Sequence, residues 1–230
     1  MQNYKEPNLD LIKNYQFDII ELPSKGAFYN IGRSFLHIKY LTAKEENILC
    51  TPMLNERGLA LDLVLKSVIL EEDVNVEELL SVDRKAIILF LRSTSFGDSF
   101  EMEVQCPSCS SKNNHQFHFS DFETNDAFFD ENGEFSLIFN LSEEQVYHIK
   151  LKPLTHLQEK IIKLNNKNKI ITSEVIEKIV SINDNSDREY IEKFIKFLPL
   201  KSFQKLRKNI DLVLPSIIEK LHYTLSLIHI

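Results

Sequence analysis

The chain has 230 residues, 43% of them apolar and 27% charged, and 34 acidic against 27 basic side chains leave a formal net charge of −7. This composition excludes a disordered tail and a collagen-like repeat, and the acidic balance argues against nucleic-acid binding through bulk charge. No apolar run reaches the roughly 18 residues of a bilayer span, so the sequence predicts one large or two small cored domains without a membrane segment.

Residues 1–18 read as a polar arm. They hold no apolar signal-peptide core, which predicts a protein kept in a cytoplasm. Leu22-Pro23-Ser24-Lys25-Gly26 has turn chemistry, because proline fixes φ and glycine tolerates φ > 0. It is expected to pack the incoming chain against the first half of the fold, with Gly26 at positive φ. Residues 34–40 alternate as a strand. Thr42 with Glu45 three residues later is a capping box and starts a helix through about Leu49. Residues 58–70 carry the wide apolar face of a buried helix. A short helix is predicted over 76–80, and a third helix, capped by Ser81 or Asp83, runs towards Arg92 and ends at Gly97.

Residues 100–105 and 116–119 alternate as two strands of a hairpin, with Cys106-Pro107-Ser108-Cys109 at its turn. An acidic loop over 120–134 precedes a second hairpin, 135–141 with 145–151. Thr155 and Gln158 form another capping box. Residues 165–170 are a polar break, and 174–180 are predicted helical. Asp187 is expected to cap a helix through Leu198, and a last helix covers about 202–214.

Two segments match. His37-Ile38-Lys39-Tyr40-Leu41-Thr42 aligns with His148-Ile149-Lys150-Leu151-Lys152-Pro153-Leu154-Thr155 after two inserted residues, and Leu91-Arg92 echoes Leu206-Arg207. Such matches change the domain assignment. They predict an α+β chain of two related strand–helix halves with β-hairpins, an arm at 1–18, a first half at 19–122 and a second at 130–224. Chance similarity of two strand–cap–helix units is the other reading. The final residues, 225–230, resemble adaptor read-through, so the natural chain is expected to continue and to bring a second C-x-x-C; a true terminus is the alternative.

Three cysteines are too few for a disulfide framework. The C-P-x-C turn sets two thiolates on one side, as a zinc-ribbon-like knuckle requires. Zinc needs four ligands, so Cys106 and Cys109 would have to be joined by His115, His118, Cys50 or another segment or subunit. Odd spacing puts His115 and His118 on opposite strand faces, so at most one can point at the metal. A metal-free remnant is the second reading. A redox dithiol is the third, although such thiols favour helix N-termini. No nucleophile elbow, P-loop or H-E-x-x-H occurs, which predicts no enzyme. Glu71-Glu72-Asp73 and Glu143-Glu144 read as solvated faces, and so does the basic group Lys201, Lys205, Arg207 and Lys208. The run Phe117, Phe119, Phe122, Phe128 and Phe129 suggests part core and part protein interface.

Leu22-Pro23-Ser24-Lys25-Gly26, Tyr29, Leu41-Thr42-Ala43, Glu45-Glu46 and Ile48-Leu49 resemble, in order, a baseplate protein family of T4-like tailed phages. Leu91-Arg92, Gly97, and Val104 with Cys106-Pro107 and Cys109 continue the resemblance. It implies a non-enzymatic hub subunit or hub assembly protein, built into or onto the tail baseplate in the host bacterial cytoplasm, with other baseplate and tail proteins as partners. The alternative is a zinc-ribbon adaptor that binds another protein or single-stranded nucleic acid.

Overall fold

The computed structural model describes residues 16–26, 33–106, 109–125, 128–130, 133–142, 145–165 and 170–218. Most of the 1–18 arm, Tyr29, Glu143, Glu144 and the chain beyond Ile218 therefore lie outside the described residues. The fold is α+β, with helices packed on small antiparallel sheets.

β1 (Phe17–Glu21) pairs antiparallel with β2 (Phe35–Lys39), Ile19 opposite His37. The β1 run Phe-Asp-Ile-Ile-Glu does not alternate, and its strand character comes from its partner rather than from its own pattern. α1 (Ala43–Leu49) starts at the expected capping box. The Thr42 hydroxyl accepts from the Lys44 amide, and the Glu45 carboxylate accepts from the Thr42 amide at 3.0 Å. α2 (Pro52–Glu56) has its proline in the first turn, where no amide is missed. α3 (Ala60–Val68) buries Ala60, Val64, Leu65 and Val68 but exposes Leu61 and Leu63, so it is amphipathic rather than buried all round.

Residues 76–80 are not helical. They form turns and then a bridge between Leu80 and Thr155. The extended backbone at Leu80 begins α4 (Ser81–Phe96), so neither Ser81 nor Asp83 is its N-cap. Asp83 lies inside the first turn and is bound from the incoming chain instead: the Ser24 amide and hydroxyl donate to its two carboxylate oxygens at 2.9 and 2.6 Å. Gly97 ends α4 at φ 93.

β3 (Ser99–Gln105) and β4 (Lys112–His118) form the cysteine hairpin and, among the described residues, pair only with each other. A one-turn 3-10 helix, Phe119–Asp121, leads to β5 (Glu123–Thr124). β6 (Phe135–Asn140) and β7 (Val146–Leu151) form the second hairpin. α5 (His156–Asn165) and α6 (Ile170–Lys178) flank the polar break. Ile179 and Val180, helical by sequence pattern, instead open β8 (Ile179–Ile182), which pairs with β7 and buries Ile179 and Ile182. α7 (Arg188–Phe197) is capped by Asp187, which accepts from the Glu189 and Tyr190 amides. α8 (Leu200–Val213) precedes β9 (Ile217–Ile218), which pairs with β5.

Apolar burial gathers in two clusters. One joins Leu22, Leu36 and Ile38 to Val64, Leu65, Val68, Ile87 and Leu91. The other joins Phe135, Phe139, Ile149 and Leu151 to Ile179, Ile195, Leu206 and Ile210. The two matching segments have parallel surroundings. Ile38 bridges to Ile69 and Ile149 pairs with Ile182. The next amides, of Leu70 and Asn183, donate to the His37 and His148 carbonyls at 3.0 and 2.7 Å.

Backbone bonds tie the clusters together. The amides of His156 and Leu157, at the start of α5, donate to the carbonyls of Leu79 and Glu77 at 2.9 and 3.0 Å. A helix N-terminus leaves such donors unpaired, and here the other part of the chain accepts from them. The Asn125 side chain donates to the Leu212 and Leu214 carbonyls at 3.2 and 2.7 Å and so fastens the end of α8 to β5.

Candidate functional site: the cysteine hairpin

The β3–β4 ladder runs without a slip from Ser99 opposite His118 to Gln105 opposite Lys112. Its turn is closed by two backbone bonds. The Cys106 amide donates to the Ser111 carbonyl at 2.8 Å, and the Ser110 amide donates to the Cys106 carbonyl at 2.9 Å. Ser110 takes φ 59, the left-handed conformation that finishes the turn. The two cysteines sit at the tip; Cys109 is exposed and Cys106 half-buried. Hydrogen bonding from the Ser111 hydroxyl, 3.1 Å from Cys109 Sγ, then from the Ser111 backbone and the Cys106 thiol, holds the Cys109 thiol below its ordinary pKa.

The histidines are elsewhere. His115 lies opposite Met102, three ladder positions beyond Lys112, which is about 10 Å along the strand. It shares the face of Phe117, with ring centroids 6.3 Å apart. His118 lies opposite Ser99 at the far end of the hairpin, about 20 Å along the strand from Lys112. Its Nδ1 is 3.6 Å from the Asp98 carboxylate. Cys50 is at the C-terminus of α1, in a different part of the fold. Among the described residues no three His, Cys, Asp or Glu side chains converge as metal ligands. The structure thus joins Cys106 with Cys109 and places His115 and His118 apart from them and from each other.

The hairpin base is aromatic. Phe100 lies 5.8, 4.9 and 6.3 Å, centroid to centroid, from Phe117, Phe119 and Phe122. The Arg92 guanidinium sits over the Phe96 and Phe119 rings at 5.2 and 5.4 Å, which connects α4 to the hairpin. Phe117 is core, whereas Phe128 is 83% exposed.

Two charge groups bear on the sequence expectation of solvated faces. Glu71 is buried and accepts from the His37 amide at 3.0 Å, with His37 Nδ1 at 2.8 Å; Asp73 is held in a two-pronged pair by Arg33. Glu71 is thus a buried structural acceptor rather than part of a solvated face, whereas Glu72 and Asp73 are exposed as expected. Lys201, Lys205 and Lys208, with Arg207, are exposed on α8 as expected, and Lys205 donates to the Asn140 carbonyl at 3.2 Å.

One surface feature is not apparent from sequence alone. Leu157, Ile161 and Leu164, at i, i+4 and i+7 of α5, are 37, 46 and 68% exposed, while Ile162 points to the core. The spacing is visible in the sequence, but apolar residues at helical spacing ordinarily mark a core face. Only the packing of α5 through Ile162 shows that this stripe faces solvent. No helix among the described residues is long and apolar enough to cross a membrane.

Comparison with known proteins gives one match. A family model described as T4 bacteriophage base plate protein covers residues 14–226. Neither the curated proteins nor the solved structures contain a match.

Proposed function

The chain belongs to the T4 bacteriophage base plate protein family, and from that membership we propose that it serves the baseplate hub of a tailed phage, as a hub subunit or hub assembly protein. It acts by contact with other tail proteins rather than by catalysis, and it meets them in the host cytoplasm during tail assembly. The observation that carries this reading is the family match along most of the chain. The outward apolar row on α5 supports it, because an apolar patch on a soluble surface is a common mark of a protein interface.

The test is affinity purification of the tagged full chain from phage-infected cells, with mass spectrometry of the captured proteins. Hub and other baseplate proteins are the expected companions. Recovery of host proteins alone would overturn the hub assignment, and so would a reproducible turnover abolished by a single Asp, Glu or His substitution.

A further inference from the structure

We propose that Cys106 and Cys109 form half of a tetrahedral zinc site, which two copies of this chain complete tip to tip. The two thiols lie at the hairpin tip, Cys109 exposed and Cys106 half-buried, where the Cys106–Ser111 and Ser110–Cys106 backbone bonds hold the strand ends together. Two thiols three residues apart in one turn can bind a single ion between them. Structural zinc sites are closed by four ligands, and this tip offers two. No third ligand comes from the described residues of the same chain, since His115 and His118 lie three and six ladder steps away on opposite faces.

The hairpin is a two-stranded sheet with no further strand beside it among the described residues, so its tip can meet another surface without unfolding. A second copy brings the same two thiolates to a two-fold contact, in which each surface patch meets itself. The result is an all-cysteine site. Gln105, Ser110, Ser111 and Asn113 around the tip are uncharged, and Lys112 is paired with Glu103 at 2.7 Å. The four thiolates repel one another, and the zinc ion offsets that repulsion. Each pair gives up its thiol protons on binding, so affinity falls as pH falls.

The experiment titrates the reduced, metal-free full chain with zinc ion, measuring mass by light scattering and bound metal by mass spectrometry. The expected result is about one zinc for two chains, with the mass rising to about twice 26.9 kDa. Cys106→Ser and Cys109→Ser should each lose both effects, with an unchanged melting temperature in the absence of metal. His115→Ala and His118→Ala should keep both effects. One zinc on a chain that stays monomeric, no zinc at all, or a doubling of mass that survives the serine substitutions would overturn the proposal.

Discussion

Ser24 and Asp83 are 59 positions apart in sequence and joined by two buried hydrogen bonds, from the serine amide at 2.9 Å and its hydroxyl at 2.6 Å. Asp83 is fully buried in the first turn of α4, where the helix dipole favours a negative charge. The bonds fix the incoming turn to the helix that carries Ile87 and Leu91 into the first core. Hydrogen bonds to a buried charge contribute about 1.5–3 kcal/mol each. Ser24→Ala is therefore expected to lower unfolding free energy by about 2 kcal/mol, and Asp83→Ala by more. Denaturant melts of the two variants check this, and a loss below about 0.5 kcal/mol for both would show that the contact is incidental.

Gly26 lies in the same turn at φ 73. A Cβ built there would come 2.0 Å from the Arg33 carbonyl oxygen and 2.5 Å from its carbon. Positive φ alone costs a non-glycine residue on the order of 1–3 kcal/mol, and the backbone clash adds to it. Gly26→Ala should destabilise the protein by about 3 kcal/mol, whereas Gly58→Ala, with open space around it, should cost only the φ penalty. Equal melting temperatures for the two variants would contradict the close approach.

These contacts mark the limit of what local sequence can show. Both capping boxes and the Asp187 cap are legible, because their partners lie within three residues. The hairpins at 99–118 and 135–151 are legible from alternation. Asp83 resembles a cap in sequence because its true partner is remote. Residues 76–80 resemble a helical turn, yet Leu80 bridges Thr155 and the Glu77 and Leu79 carbonyls accept from α5, so tertiary pairing overrides local preference. Ile179 and Val180 continue the pattern of the preceding helix, but β7 draws them into its sheet. At the candidate site the C-x-x-C turn is legible. The distance of the histidines from it is not, since ladder register decides that.

The two caps should respond unequally. The Thr42 hydroxyl donates to Glu45 Oε2 at 2.5 Å and accepts from the Lys44 amide at 3.3 Å, so it serves a buried carboxylate as well as a helix end. The Thr155 hydroxyl accepts from the Gln158 amide at 3.2 Å, while the His156 and Leu157 amides already have backbone partners. Thr155→Ala is expected to cost about 1 kcal/mol, and Thr42→Ala about 2 kcal/mol. The comparison is made by urea melts at neutral pH, and the reverse order would refute the account.

Glu45 provides a pH signature. Burial alone would raise its pKa, but hydrogen bonds from Thr42, Lys39 and Ser67 outweigh burial and hold it at about 2, below its ordinary 4.5. A depressed carboxylate pKa adds stability that is fully present above the unfolded value. That stability is lost as pH falls from about 4.5 through about 2. At 1.36 kcal/mol for each pKa unit the loss is on the order of 3 kcal/mol. Wild type should lose this increment between about pH 5 and pH 2, and Glu45→Gln should lack it. Parallel stability curves for the two proteins would exclude Glu45 as the source.

The last expectation concerns the outer face of α5. Leu157, Ile161 and Leu164 form one row, and Ile171 of α6, 52% exposed, adds to the apolar surface of this helix pair. The row is not needed to hold α5 in place. Ile162 faces the core, Lys160 reaches Asp62 at 3.4 Å, and the first amides are bound to Leu79 and Glu77. Charged residues placed at Ile161 and Leu164 should lower the melting temperature only modestly, because Leu164 is mostly exposed and a lysine stem can cover much of the area that half-buried Ile161 covers. They should weaken a partner contact centred there, since a single well-packed apolar side chain is worth about 1–2 kcal/mol in binding. Ile161→Lys with Leu164→Lys is thus expected to reduce recovery of baseplate partners by about 10–100-fold. Phe197→Ser, at the exposed corner between α7 and α8, serves as the comparison and should leave recovery intact. If the α5 pair folds normally and recovers its partners in full while Phe197→Ser does not, the contact lies at the α7–α8 corner instead.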